Sequence, residues 1–115
     1  MNAVILVGRM TRDAEVKTLD SGSKVVSFTI AVDRSGKSKE TDFIDCKAWG
    51  TTGDFISKYF TKGKPISVKG ELQTRTWETE NGKRKATEVR VDQVAFVPGS
   101  SNNSAPAEEP EELVF

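Results

Sequence analysis

Residues 42–60 read DFIDCKAWGTTGDFISKYF, and within this stretch the spacing of apolar side chains changes from strand-like to helix-like. In Asp42–Trp49 apolar and polar residues alternate, which predicts a β-strand with one buried face. In Thr51–Phe60 the large apolar side chains recur at helical spacing, with Thr51 or Thr52 as the cap. They form one stripe of Phe55, Ile56, Tyr59 and Phe60. The segment therefore predicts a strand that runs directly into a helix.

Alternating apolar segments on either side of this stretch predict four more strands. Ala3–Val7 predicts a short strand ended by the glycine that follows, and Lys24–Val32 predicts a longer one. After the helix, Ile66–Glu78 and Arg84–Val97 predict a long hairpin around Asn81-Gly82, a dipeptide typical of tight turns. The order of three strands, one helix and two strands predicts an all-β chain. Its fold would be a five-stranded OB-fold barrel with one short helix between strands 3 and 4.

Charge and composition divide the chain into two parts. All 17 basic residues lie between Arg9 and Arg90, whereas four of the 17 acidic residues lie in the last eight positions. The rest of the chain has 17 basic residues against 13 acidic ones, a mildly basic body that hints at a polyanionic partner. Residues 98–107 hold no core-forming side chain larger than alanine, which is typical of a flexible linker. We therefore predict an OB-fold domain over residues 1–98, and a disordered linker with an acidic protein-interaction tip over residues 99–115.

The sequence offers little material for catalysis or for metal binding. It has no histidine, the usual general base near neutral pH, and no Cys/His cluster that could hold zinc. The single cysteine, Cys46, occupies a core-facing position and is expected to act as a small hydrophobic residue. We therefore expect a protein that is not an enzyme and that uses no cofactor or metal. Because we find no signal peptide and no apolar segment of membrane length, we expect a soluble cytoplasmic protein with no membrane partner.

Two strands carry aromatic and charged side chains on the face opposite to the core. In Asp42–Trp49 the core face holds Ile44, Cys46 and Ala48, and the other face holds Phe43, Asp45, Lys47 and Trp49. In Ile66–Trp77 the core face holds Ile66, Val68, Gly70 and Leu72, and the other face holds Lys69, Glu71, Gln73, Arg75 and Trp77. A buried face would not carry these charges, and a face made only for water would not need the rings. Rings that stack on bases, beside cations that hold phosphates, are typical of single-stranded nucleic-acid binding.

Several of these side chains also have a purely structural explanation. Phe43 could pack beneath the polar loop Ser35–Glu40, and Trp49 could cover the end of the helix. Trp77 lies far out on a hairpin arm, where a structural role is harder to find. The basic run Lys83-Arg84-Lys85 could be only a solvated hairpin tip.

The last eight residues carry a second signal. Glu108–Phe115 is acidic and then ends in three apolar residues, which disordered segments seldom expose. A terminal aromatic side chain beside a carboxylate fits a basic pocket on another protein. The predicted partner-binding residues are Glu111, Glu112, Leu113, Val114 and Phe115. Alternatively, these apolar residues fold back onto their own domain.

Over about residues 2–97 the sequence resembles the bacterial and phage single-stranded DNA-binding proteins. The resemblance rests above all on Gly70-Glu-Leu-Gln-Thr-Arg-Thr-Trp77 followed by Thr87-Glu-Val89. It also rests on Asn2-Ala-Val-Ile-Leu-Val-Gly-Arg9, Thr11-Arg-Asp-Ala-Glu-Val-Lys17, Thr41-Asp-Phe-Ile-Asp-Cys46 and Lys62-Gly63. The acidic tail that ends in phenylalanine is a further shared feature.

This resemblance implies an OB-fold that assembles as a homotetramer and wraps single-stranded DNA. It implies stacking by Phe43, Trp49 and Trp77, and contacts to the DNA backbone by Lys17, Lys62 and Arg75. Together with the strand cations Lys47 and Lys69 and with Arg9, these residues make up the predicted nucleic-acid site. The chain departs from the family in Gln73 and Asp45, where some members are basic. It also lacks the tryptophan that many members carry in the loop at Ser35–Glu40. Its linker is shorter than that of many members, and its last residues differ from the usual family tip.

The sequence therefore predicts sequence-independent binding and protection of single-stranded DNA in replication, recombination and repair. The tip would recruit the proteins that carry out these processes. Two alternatives stay open at this stage: an OB-fold adaptor whose aromatic face binds a polypeptide, and a single-stranded RNA-binding protein that uses the same stacking.

Overall fold

Six strands and one helix make up the part of the chain that the computed structural model describes, residues 1–37 and 39–97. The strands are β1 (Val4–Met10), β2 (Glu15–Thr18), β3 (Lys24–Asp33), β4 (Thr41–Trp49), β5 (Pro65–Thr79) and β6 (Gly82–Ala95). The helix α1 (Gly50–Tyr59) connects β4 to β5. The predicted linker and acidic tip, residues 99–115, lie outside the described residues.

Five of the strands close on themselves in a ring. The neighbours follow the order β1, β5, β6, β4, β3, and the last strand returns to the first, where Arg9 pairs with Ala31 and Met10 pairs with Ile30. The pairing of β4 with β6 is parallel, with Cys46 opposite Val89, and the other pairs are antiparallel. Within the ring the helix follows the third strand and precedes the fourth. The predicted all-β OB-fold with one short helix is therefore confirmed.

The core fills the inside of this ring. The inner faces of the strands supply apolar side chains in alternate positions, and the helix adds Ile56 and Phe60, which are both buried. The largest fully buried side chains of the strands are Met10, Val26, Phe28, Ile30, Ile66, Val68 and Val89. Each stabilises the fold by about 1.5–3 kcal/mol through removal of apolar surface from water. The core thus fixes which side of every strand faces solvent.

Cys46 lies in this core, as the alternation predicts. Its side chain is buried, and desolvation raises the pKa of its thiol to about 12, with the nearby negative charges of Asp45 and Glu88 acting in the same direction. The residue is a neutral packing element at ordinary pH. The prediction that it acts as a small hydrophobic residue is confirmed.

The first strand does not end at its glycine. β1 continues through Gly8 to Met10 because the ring closes there. A Cβ atom at Gly8 would collide with the carbonyl oxygen of Ala31, so glycine is needed for the close approach of β1 to β3. The prediction read this glycine as a strand terminator, whereas it lies at a strand crossing.

The helix begins one residue earlier than predicted and is not capped by threonine. Trp49 is its N-cap, with extended backbone and no side-chain hydrogen bond to the first turn, and Gly50 begins the helix with φ of +64°. The prediction of Thr51 or Thr52 as cap is therefore wrong. β4 runs directly into the helix, which leaves no space for a separate capping turn.

The four-residue strand β2 was not predicted. It pairs with the first half of β3, and all four of its residues are exposed, so its sequence shows no apolar alternation. It adds a strand to the edge of the ring without contributing to the five-strand closure.

Two predicted core side chains are exposed. Leu72 lies on the inward side of β5, but the long hairpin has left the ring at this point, and 46% of its surface is accessible. Tyr59 lies at the end of the helical stripe and is equally exposed, whereas Ile56 and Phe60 are buried. Both predictions failed because periodicity gives the side of an element but not where the core ends. No helix among the described residues is long and apolar enough to cross a bilayer.

Candidate nucleic-acid interface

The outward sides of β4, β6 and β5 form one continuous surface, since these strands are neighbours in the ring. We call this surface the aromatic-basic face. It is defined by Phe43, Asp45, Lys47 and Trp49 of β4, Glu88 and Arg90 of β6, and Arg75 and Trp77 of β5. The structure therefore brings together the two sequence segments in which rings and cations alternate.

Phe43 presents an open ring on this face. It pairs in register with Ala31 of β3, and 67% of its surface is accessible. The described residues of the loop that follows β3 do not cover it. This exposure leaves the ring free to contact a partner.

Trp49 is held at the point where β4 becomes the helix. The guanidinium carbon of Arg90 lies 4.4 Å from the centre of its ring, in cation–π geometry. Trp49 is half-buried and pairs in register with Val25, which in turn pairs with Lys17. The strand, the helix start and the arginine together fix the orientation of this indole.

Trp77 repeats the same arrangement on the hairpin arm. The guanidinium carbon of Arg75 lies 4.9 Å from the centre of its ring, and 41% of the residue is accessible. Its partner across the hairpin is Arg84. An exposed ring is thus bordered by positive charge from its own strand and from the opposite strand. The basic run that the sequence left as a possible solvated tip begins beside this tryptophan.

Two ion pairs cross the middle of the face. The carboxylate of Glu88 lies 3.5 Å from Lys47 Nζ and 3.7 Å from Arg75 Nε. Asp45, the other acid on this face, accepts a hydrogen bond of 3.0 Å from the hydroxyl of Thr29. The face therefore alternates in charge and is not uniformly basic.

The remaining predicted site residues, Arg9, Lys17, Lys62 and Lys69, lie outside this face. Arg9 lies in one cross-strand row with Ala31 and Phe43, about 10 Å from the latter at two strand spacings. It pairs with Asp33 at 3.4 Å, and hydrogen bonds from Thr41 and then Arg9 hold the pKa of that carboxyl below its usual value. Arg9 is therefore close enough to share a ligand with the face.

Lys17 is positioned by β2, and Lys62 by the segment that follows the helix. Lys17 is exposed on β2, in the cross-strand row that leads through Val25 to Trp49. Lys62 follows the helix, and its backbone N–H donates a hydrogen bond of 2.8 Å to Asp13. This contact fixes Lys62 beside the segment that joins β1 to β2.

Lys69 is not brought to the aromatic rings. It pairs in register with Ile5 of β1 and Gln93 of β6. Its position is thus beside the exposed apolar side chains of β1, at the other end of β5 from Trp77.

The loop between β3 and β4 is anchored at its base by Arg34. The guanidinium donates to both oxygens of Asp42 at 2.9 and 3.0 Å, and it lies 2.8 Å from Glu40. The same hydrogen bonds lower the pKa of the Asp42 carboxyl and raise that of Arg34. These contacts join the two ends of the loop directly before Phe43.

Arg90 and Glu88 were missed by the sequence reasoning. Both alternate with the buried Val89 and Val91 on β6, a pattern of period two that was available in the sequence. Their significance depends on the neighbouring strands, because each acts on a residue of β4 or β5. Pairing of β4 with β6 could not be read from the sequence.

The arrangement provides exposed rings, fixed cations and an open surface. Among residues 1–37 and 39–97, no group of His, Cys, Asp or Glu is placed to hold a metal ion. Such a surface can bind flat, apolar groups that are joined by anions, which is the chemical description of an unpaired polynucleotide.

Comparison with known proteins indicates the same kind of ligand. The model of a family described as the single-strand binding protein family matches residues 1–97. A "Single-stranded DNA-binding protein" of Clostridium perfringens is 42% identical over 107 residues, which cover 91% of this chain and 71% of the relative. "Single-stranded DNA-binding protein 3" of Clostridium acetobutylicum is 42% identical over 113 residues, which cover 93% of this chain and 78% of the relative. A "Single-stranded DNA-binding protein" of Staphylococcus aureus is 41% identical over 110 residues, which cover 90% of this chain and 70% of the relative.

Proposed function

Because the chain belongs to the single-strand binding protein family, whose members are non-enzymatic DNA-binding proteins, we propose that it binds single-stranded DNA without sequence preference through the aromatic-basic face. The observation that carries the proposal is the pairing of exposed rings with fixed guanidinium groups. Phe43 is open, and Trp49 and Trp77 each have an arginine at one side of the ring.

The physical basis of this binding combines stacking with charge. A base that stacks on an aromatic side chain contributes about 1–3 kcal/mol, whichever base it is, because every base has a π-face. The arginines beside the tryptophans, together with Lys17, Lys62 and Arg9 around the face, would hold the phosphates. Neither part reads base edges, so sequence preference is not expected.

A titration with oligo-dT tests this proposal. We expect quenching of tryptophan fluorescence, since both tryptophans lie on the face, and an affinity that falls with added salt by a log–log slope of about −0.7 per phosphate contact. Unchanged emission at saturating oligo-dT would mean that the face is not the binding surface. Oligo-U serves as the comparison: equal affinity for it would support the RNA-binding alternative, and no response to either would support a polypeptide ligand.

We also propose that the protein assembles as a homotetramer. On the outer side of β1, Ile5 and Val7 expose 63% and 55% of their surfaces. β1 pairs with β3 only at Arg9 and Met10, so within the described residues the stretch from Val4 to Gly8 has one edge without a strand partner. An unpaired edge beside exposed apolar side chains supports pairing with another copy.

The acidic tip is the proposed contact for replication, recombination and repair proteins, and the place of action would be the bacterial cytoplasm or nucleoid, where the DNA is. A linker of about ten residues would keep the four glutamates near the aromatic-basic face at a local concentration on the order of millimolar. The tip would then compete with DNA, most strongly at low salt.

Removal of residues 108–115 tests this role of the tip. We expect an oligo-dT affinity that is equal or higher, with the larger gain at low salt, because a competing anion is lost. A lower affinity at both low and moderate salt would instead make the tip part of the DNA site or of the fold. Phe115→Ala should abolish partner recruitment and leave oligo-dT affinity unchanged.

A further inference from the structure

A carboxylate lies at the centre of the aromatic-basic face, between two of the cations. Glu88 is on β6, the strand between β5 and β4. Its Oε2 is 3.5 Å from Lys47 Nζ on one side, and its Oε1 is 3.7 Å from Arg75 Nε on the other side. One carboxylate thus forms an ion pair with a cation on each neighbouring strand.

Exposure differs between the acid and its partners. The side chain of Glu88 is only 14% accessible, whereas that of Arg75 is 56% and that of Lys47 is 30% accessible. A carboxylate with so little contact to water depends on its ion partners, and loss of these partners is costly. The two cations can still be reached from solvent by another anion.

Asp45 on the same face does not have this arrangement. Its carboxylate is exposed and accepts the hydrogen bond of Thr29. Within the described residues, no ion pair of Asp45 shorter than 4.0 Å is found. Glu88 is therefore the acid that directly engages the cations of the face.

We propose that Glu88 competes with DNA phosphates for Lys47 and Arg75, and so sets the affinity and lifetime of the complex; this rests on the proposed function. When phosphates take the two cations, Glu88 loses its partners and faces added negative charge. Both effects disfavour the bound state. When DNA leaves, the carboxylate recovers its ion pairs, which speeds release.

Glu88→Gln tests this competition, because the amide keeps the shape of the side chain and removes its charge. We expect an oligo-dT affinity that is about two- to thirtyfold higher at low salt, the range of two surface ion pairs. We also expect slower dissociation and a salt dependence that is steeper by at most about 0.7 for each cation that Glu88 keeps from phosphate in the wild-type complex. Asp54→Asn, an equal charge change on the exposed surface of the helix, is the control and should leave all three quantities unchanged.

The same substitution in a Lys47→Gln, Arg75→Gln background shows whether the effect runs through these cations. We expect a smaller gain there, because only the repulsion between Glu88 and the phosphates is then removed. The inference is overturned if Glu88→Gln leaves affinity and salt slope at wild-type values, if it weakens binding, or if its full gain persists without the two cations. Glu88→Thr, which favours a strand, is a second route to the same measurement if the amide variant does not fold. Failure of the wild-type protein to bind oligo-dT would instead reject the proposed function itself.

Discussion

Trp77 shows how one exposed side chain can matter for binding and not for folding. It lies on the hairpin arm beyond the ring, with Arg75 over its ring and with 41% of its surface open to solvent. We expect Trp77→Ala to weaken oligo-dT binding by about 1–3 kcal/mol, because one stacking platform is lost. The unfolding transition in urea should stay nearly the same.

Tyr59→Ala is the matched control for Trp77, since it removes an exposed ring that lies on the helix, away from the aromatic-basic face. It should leave the affinity for oligo-dT at the wild-type value. If Trp77→Ala unfolds the protein, Trp77 belongs to the core and its assignment to the DNA site is wrong.

At the scale of single residues, the sequence predicted which side chains of β4 face the core and which face solvent, because successive side chains of a strand point to opposite sides. The alternation of Phe43 and Lys47 with Cys46 and Ala48 placed the rings and cations on one side, and burial in the structure agrees. The role of Glu88 could not be predicted in this way. Its ion pairs join three strands, and local periodicity does not indicate which distant strands pair with one another.

The pairing of β5 with β6 changes register at one point, between Lys69 and Gly70. On β6 the buried valines are spaced two apart and then three apart, at Val89, Val91 and Val94, so Asp92 is the extra residue of a β-bulge. The bulge keeps the inner face of β6 apolar along the whole ring. It also brings the backbone of β6 close to Gly70.

Gly70→Ala should destabilise the ring at this bulge. An added Cβ would collide with the carbonyl oxygen of Arg90 and approach the backbone of Val91. Because backbone must move, we expect a loss of about 2–3 kcal/mol in the free energy of unfolding, at the upper end for an overpacked site. Urea unfolding at one fixed protein concentration measures the loss.

Thr74→Ala, an exposed position farther along the same strand, is the control for Gly70 and should cost under about 1 kcal/mol. Equal stabilities of the Gly70 variant and the wild type would show that the strands at the bulge can separate without cost, contrary to the close packing described here.

At the scale of the elements, the sequence predicted long, strongly alternating strands well and short or crossing ones poorly. The hairpin of β5 and β6 was predicted because Asn81-Gly82 marks its turn, and Gly82 indeed has a φ of +115°. β2 was missed because it buries nothing, and the end of β1 was misplaced because Gly8 serves a contact with β3. In both cases the cause is a tertiary contact that no local pattern reports.

On the scale of the whole molecule, the open edge of β1 makes a prediction about assembly. Val7→Lys should lower the oligomeric state, because a lysine on an exposed strand opposes pairing with another strand. Sedimentation at micromolar concentration should show a smaller species than the tetramer proposed for the wild type, with the strand content unchanged in circular dichroism.

Val16→Lys places the same charge on β2, the other exposed strand edge, and is the control. It should leave the sedimentation of the wild type unchanged. A wild-type protein that sediments as a monomer would contradict the proposed tetramer, whatever the variants do.

Closure of the ring also governs the order in which the protein can fold during synthesis. β1 leaves the ribosome first, yet its main partner β5 follows about 60 residues later. β3 and β4 can pair at once, because a short loop joins them, whereas β1 must wait for several seconds at about 5–20 residues per second. In this interval its exposed isoleucine and valines have no native strand on the β5 side. The nascent chain therefore passes through a stage in which its first strand can bind a chaperone, or can pair with another copy of the chain that is being synthesised on the same messenger RNA.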